Sequence, residues 1–183
     1  MRTSLLWTIG VLVLVGVIGS VWWYRKPPIT VPALVELGTP PPAVRDTTRT
    51  APSGYKEYRN TTYRMSLFYP DTLIVKEFNE GGGAQTITFE GKGGIGFQIF
   101  VVPYTDAQLT PERLKKDIPS GVVKEQTPIV IDGKAASMFY STNALLGETR
   151  EVWFIQNKYL YEVTTTKDQD AWLSTIMKSW MFL

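Results

Sequence analysis

The sequence predicts an α+β domain, a central antiparallel β-sheet sandwiched by helices, preceded by one transmembrane helix. Three observations predict it. Residues 5–24 are uncharged throughout. From Tyr58 onward, apolar and polar residues alternate in short runs punctuated by Gly, Asp and Asn. Two later segments carry helix caps and helical apolar spacing.

The uncharged stretch comes first. Twenty helical residues at ~1.5 Å each make ~30 Å, the hydrocarbon thickness of a bilayer. Trp7 lies near one end, and Trp22, Trp23, Tyr24, Arg25 and Lys26 crowd the other. Amphipathic aromatics and snorkelling cations favour membrane–water boundaries, so these six residues are the expected interface anchors. A cleaved secretory signal is the competing reading. Against it, the apolar run is long, no A-x-A site occurs, and Gly19-Ser20 is followed by Trp22-Trp23. Residues 1–26 are therefore expected to anchor the chain in membrane lipid, N-terminus inside and domain outside. The positive charges on the two flanks are nearly balanced.

Residues 27–54 contain seven prolines, Pro27, Pro28, Pro32, Pro40, Pro41, Pro42 and Pro52. Proline lacks an amide donor and restricts the residue before it, so neither helix nor sheet propagates. The segment reads as a spacer, up to roughly 85 Å if fully extended as polyproline II.

Residues 55–183 read as the globular domain. Tyr63, Met65, Leu67 and Tyr69 alternate with Arg64 and Ser66 before Pro70-Asp71 breaks the run. Residues 73–78 form a second strand, with Gly81-Gly82-Gly83 as its turn, and Ile87 and Phe89 mark a third. Residues 97–102 are nearly all apolar, as in a strand covered on both faces. Asp132-Gly133 separates a strand at 129–131 from one at 135–141, and Asn157-Lys158 separates strands at 152–155 and 159–165. In the first helix Thr110 caps, Pro111 takes the first position, Leu109 and Leu114 form a hydrophobic staple, and the end falls near Asp117. The second runs over about 168–178, with Trp172, Leu173, Ile176, Met177 and Trp180 as one stripe.

Composition excludes much chemistry. The chain has no Cys and no His, hence no thiolate nucleophile, imidazole base or zinc–thiolate cluster. The net charge of +2 comes from residues 1–54, while residues 55–183 carry 14 basic and 15 acidic groups, so the domain shows no nucleic-acid footprint. Gly91, Gly93 and Gly96 match G-x-G-x-x-G, but the loop joins two strands instead of opening a helix, and reads as a hairpin loop. Asp106, Asp117, Asp132, Asp168 and Asp170 could chelate a cation, yet show no calcium-loop spacing. Ser174 and Lys178 lack an S-x-x-K motif. No catalytic residue, metal ligand or cofactor is therefore expected. Tyr55, Tyr58, Tyr63 and Tyr69 are the expected partner surface.

Several pieces resemble the PsbP-like superfamily. They are residues 58–60 (Tyr-Arg-Asn), 63–70 (Tyr-Arg-Met-Ser-Leu-Phe-Tyr-Pro), 131–136, 149–154 (Thr-Arg-Glu-Val-Trp-Phe), 160–163 and 177–182. The superfamily is named for an extrinsic photosystem II subunit and includes a Ran-binding transport factor. The resemblance implies an α–β–α sandwich around an antiparallel sheet. The fold carries over and the photosynthetic role does not, and with no His any His-based metal site of relatives is lost. The chain is thus expected to be a membrane-anchored, extracytoplasmic binding or scaffolding module with a protein partner. The alternatives are a small-ligand binder and a hydrolase independent of His and Cys.

Overall fold

The computed structural model describes residues 48–183, residue 119 apart. The span at 5–24, its six interface anchors and most of the Pro-rich segment lie outside the described residues. Among the described residues no helix is long and apolar enough to cross a membrane.

Two antiparallel sheets make up most of the domain. The chain runs β1 (Tyr55–Asn60), β2 (Met65–Pro70), β3 (Ile74–Gly81), β4 (Ala84–Glu90) and β5 (Gly96–Pro103), then α1 (Pro111–Asp117). It continues through β6 (Lys124–Ile131), β7 (Lys134–Asn143), β8 (Gly147–Gln156), β9 (Tyr159–Thr166), α2 (Asp170–Met177) and β10 (Met181–Phe182). The large sheet has seven strands in the order β3-β4-β5-β9-β8-β7-β6, and the small one has three in the order β1-β2-β10.

Turn chemistry sets the large sheet. At the β6–β7 turn Asp132 and Gly133 both take positive φ, and at the β8–β9 turn Asn157 and Lys158 do so. That is the backbone a two-residue hairpin demands of right-twisted strands. The Gly91–Gly96 loop joins β4 to β5, which pair antiparallel from Glu90 opposite Gly96 onward. A Cβ on Gly96 would collide with the carbonyl oxygen of Phe89, so glycine here permits close approach of two backbones.

Strand alternation sorts side chains to two cores. The inner face of the large sheet contributes Ile87 and Phe89, Phe97, Ile99 and Val101, Val152 and Phe154, and Tyr161 and Val163. Met65, Leu67 and Phe182 of the small sheet cover them, with Leu173, Ile176 and Met177 of α2, and Trp180. The outer face contributes Phe139, Trp153 and Leu160, packed with Tyr104, Ile118, Leu109 and Leu114. The Thr110 hydroxyl accepts from the Arg113 amide at 3.1 Å, and both leucines of the staple reach this second core.

The helix sandwich fits only in part. Much of the inner face is covered by the small sheet, and α1 spans only seven residues. Strand β5 is buried on one face alone, with Gln98, Phe100 and Val102 half-buried on the other. The α2 helix begins at Asp170 after a 3₁₀ turn at Lys167–Gln169 and ends at Met177, so Trp180 joins the core from beyond the helix.

Candidate functional site

The four tyrosines do not form one exposed patch. Tyr58 and Tyr63 are buried, at 8% and 7% exposure, and Tyr55 and Tyr69 are half-buried. Tyr58 and Tyr69 set their rings edge-on against Phe89, and Tyr63 sets its ring edge-on against Tyr159. Tyr58 and Tyr69 point inward from β1 and β2 because the small sheet lays that face on the core, and Tyr63 joins them from the turn between the two strands.

The hydroxyls of Tyr58 and Tyr63 nevertheless reach one place. A groove of about 390 Å³ opens between the β1–β2 turn and the β3–β4 hairpin, floored by Tyr63 and walled by Asn60, Glu77, Asn79, Gln85 and the glycines of the hairpin. Tyr58 donates to Glu77 Oε1 at 2.7 Å, and Gln85 donates to Glu77 Oε2 at 2.7 Å. Asn60 Nδ2 donates to the Tyr58 hydroxyl at 3.0 Å, and Asn60 Oδ1 accepts from the Tyr63 amide. The Tyr63 hydroxyl donates to the Gly83 carbonyl at 3.1 Å. Burial raises the Tyr58 and Tyr63 phenols above their usual range, with the Glu77 carboxylate reinforcing the shift. Both stay neutral donors at physiological pH. The groove thus presents amides, hydroxyls and one carboxylate, which recognise polar ligands and lack an activated nucleophile.

A broader hollow of about 640 Å³ lies across the loop at Gly93-Gly94 and residues Thr166–Gln169. Its charges pair with each other, Lys167 Nζ lying 3.0 Å from Glu148 Oε2.

Sequence reasoning missed the strongest electrostatic feature. On the outer face of the large sheet Glu151 and Glu162 are each 7% exposed, Glu162 against Arg113 and Asp117 of α1. Opposite residues are Glu151 and Thr164, then Trp153 and Glu162, so the two carboxylates stand diagonally on neighbouring strands. Glu151 accepts from Thr149 at 2.7 Å, Thr164 at 2.6 Å and the Trp153 indole at 3.3 Å. Arg113 pairs with Asp117 and reaches Glu162 at 3.5 Å. Burial pushes the Glu162 carboxyl well up and Asp117 adds to it; Arg113 pulls the other way without reversing the shift. Glu151 is also raised by burial, against its three hydrogen bonds. The available signal was Glu151 and Glu162 lying within apolar strand runs.

The five aspartates are dispersed among separate tasks. Asp132 Oδ2 accepts from the Phe182 amide, Asp168 accepts from Thr166, and Asp170 accepts from Tyr140 and pairs with Arg150. Among the described residues no three acidic groups gather as a metal site. Lys178 is exposed on the helix end.

No protein-family model matches the sequence, and no curated protein matches it. Solved structures do. The solution structure of cyanobacterial PsbP (CyanoP) from Synechocystis sp. PCC 6803 matches at a TM-score of 0.54 and 10% identity, over 80% of this chain and 99% of that one. A crystal structure from Bacteroides thetaiotaomicron VPI-5482 matches at a TM-score of 0.50 and 12% identity, over 71% of this chain. This chain spans about half of that protein, 49% of its length. At such identities the likeness speaks to architecture alone. The described domain has a PsbP-like fold.

Proposed function

We propose that this chain is a non-enzymatic binding module, anchored in lipid by residues 5–24, that recognises a protein or envelope component outside the membrane through the groove beside Tyr63. The observation that carries the reading is how polar groups are distributed. Glu151 and Glu162, the carboxyls that burial holds in their protonated form to higher pH, are closed off from solvent, Glu162 against Arg113 and Asp117 of α1. The open groove is lined by the amides of Asn60, Asn79 and Gln85 and by Glu77. That is the inventory of recognition through hydrogen bonds. The resemblance to an extrinsic photosystem subunit adds support for an accessory role.

A photo-crosslinking residue at position 79 of the full-length protein in native membranes tests it. A discrete adduct with one partner other than a second copy of this chain is expected, weakened by Gln85→Ala. Hydrolytic turnover by the purified protein, with no adduct, overturns it. The groove volume also suits a small ligand. That second reading predicts a rise in melting temperature in a ligand screen, lost in Gln85→Ala. A hydrolytic role would fall to Glu151 and Glu162, and their burial argues against it.

A further inference from the structure

The two edges of the large sheet are finished differently. Edge strand β6 contains Pro128, holds Glu125 at φ +53° and breaks register between Lys124 and Thr127. Such devices close a sheet edge to further pairing. Edge strand β3 has no proline and keeps regular register from Ile74 to Asn79, shifting only beyond it. Seven of its eight residues are exposed, Ile74 at 64% and Phe78 at 38%. Ile74, Lys76 and Phe78 alternate onto one face, beside Glu90, Thr88 and Thr86 of β4.

We propose that β3 is where two copies of this chain pair, antiparallel and edge to edge, around a two-fold axis through Phe78. Directly opposed residues of an antiparallel pair share a face, so the axis must centre on a residue. Centring on Lys76 sets Lys76 against its own copy, and centring on Glu77 sets Glu77 against its own copy. Centring on Phe78 sets ring against ring and Glu77 opposite Asn79, and it carries Lys76 to the other copy's Glu80, at the bulge where the regular register of β3 ends. Each is a favourable cross-strand pair. Lys76 Nζ already lies 2.6 Å from Glu90 Oε2 with both side chains about half exposed, and an ammonium has further donors for a second carboxylate. Asn79 Oδ1 accepts from the Gly81 amide, leaving its NH₂ group to donate to Glu77. The pairing joins two seven-stranded sheets into one and brings the two grooves side by side, because Glu77 and Asn79 line them. It stands independently of what the groove binds.

The chain lacks cysteine, so single-cysteine variants of the full-length protein report cleanly. Oxidation of Phe78→Cys in membranes should give a covalent dimer, since opposed strand positions lie within disulfide reach. Val130→Cys, 70% exposed on the closed edge, should not. In the Phe78→Cys background, Lys76→Glu should lower the cross-linked fraction roughly tenfold by setting two like-charge pairs, and Lys76→Glu with Glu80→Lys should restore it. No cross-link at position 78 overturns the proposal, as does equal cross-linking at position 130. So does a monomeric Phe78→Cys variant whose thiol is shielded from maleimide, which would mean that the chain's own N-terminal residues cover the edge.

Discussion

The guanidinium of Arg49 lies 4.2 Å from the centre of the Phe68 ring. It also donates to the Ser179 carbonyl and, at 2.8 Å, to the fully buried Ser66 hydroxyl. Residue 49 belongs to the segment that reads as spacer, yet it clamps the exit of α2 to the outer face of the small sheet. Arg49→Ala removes a stacked cation and leaves Ser66 and Ser179 short of a partner. It should destabilise the protein by about 1–3 kcal/mol. Arg49→Lys keeps the charge without the planar fork and should fall between. Urea denaturation measures both. A neutral Arg49→Ala would mean that the segment merely passes by.

The small sheet also shows where sequence periodicity stops being informative. Asp132-Gly133, Asn157-Lys158 and the Thr110 cap were legible because turns and caps are local chemistry. The pairing of β10 with β2 joins Met181–Phe182 to Met65–Ser66, more than a hundred residues apart, and a two-residue strand carries no period. Tyr58 and Tyr63 were expected at a partner surface; the small sheet's packing sends those tyrosines inward instead. The burial of Glu162 depends on α1 bringing Arg113 and Asp117 against β9, a tertiary event that strand alternation does not encode. The groove inherits the same gap, since Asn60 meets Gln85 only through the packing of two sheets.

Glu162 gives the stability of this protein a pH dependence of definite sign. Its carboxyl is held well above the usual 4.5, so the folded chain keeps a proton that the unfolded chain releases. That contribution is fully present below pH 4.5 and is lost as pH rises toward the elevated value. Glu162→Gln mimics the neutral form, so the decline should flatten and the variant should exceed the parent at neutral pH. Glu90 and Glu148, held down by Lys76 and Lys167, lose their contributions only at more acid pH, in a separate window. Thermal melts from pH 4 to 8 test this; an unchanged slope in Glu162→Gln would refute it.

Two buried tryptophans make a controlled comparison. The Trp153 indole donates to Glu151, whereas the Trp180 indole finds no acceptor among the described residues. Trp153→Phe and Trp180→Phe remove similar volume, but only the first withdraws a donor from a buried carboxylate. Trp153→Phe should therefore cost about 1–3 kcal/mol more than Trp180→Phe, with a double cycle through Glu151→Gln closing most of the gap. Equal losses would mean that packing alone sets both.

The β8–β9 turn holds a last reserve of strain. Asn157 and Lys158 take φ of 53° and 64°, a conformation that asparagine tolerates and lysine, with its Cβ near the carbonyl, does not favour. The corresponding turn between β6 and β7 places Gly133 there. The Lys158 side chain is exposed, and its backbone carbonyl accepts from the Tyr104 amide at 2.8 Å, a bond that any residue retains. Lys158→Gly should thus relieve the strain without losing a contact and raise stability by about 1 kcal/mol, some of it offset by the freer unfolded chain. Lys158→Val, β-branched at the same dihedral, should lower it. The opposite order in chemical denaturation would show that the turn is held by its side chains and not by its backbone.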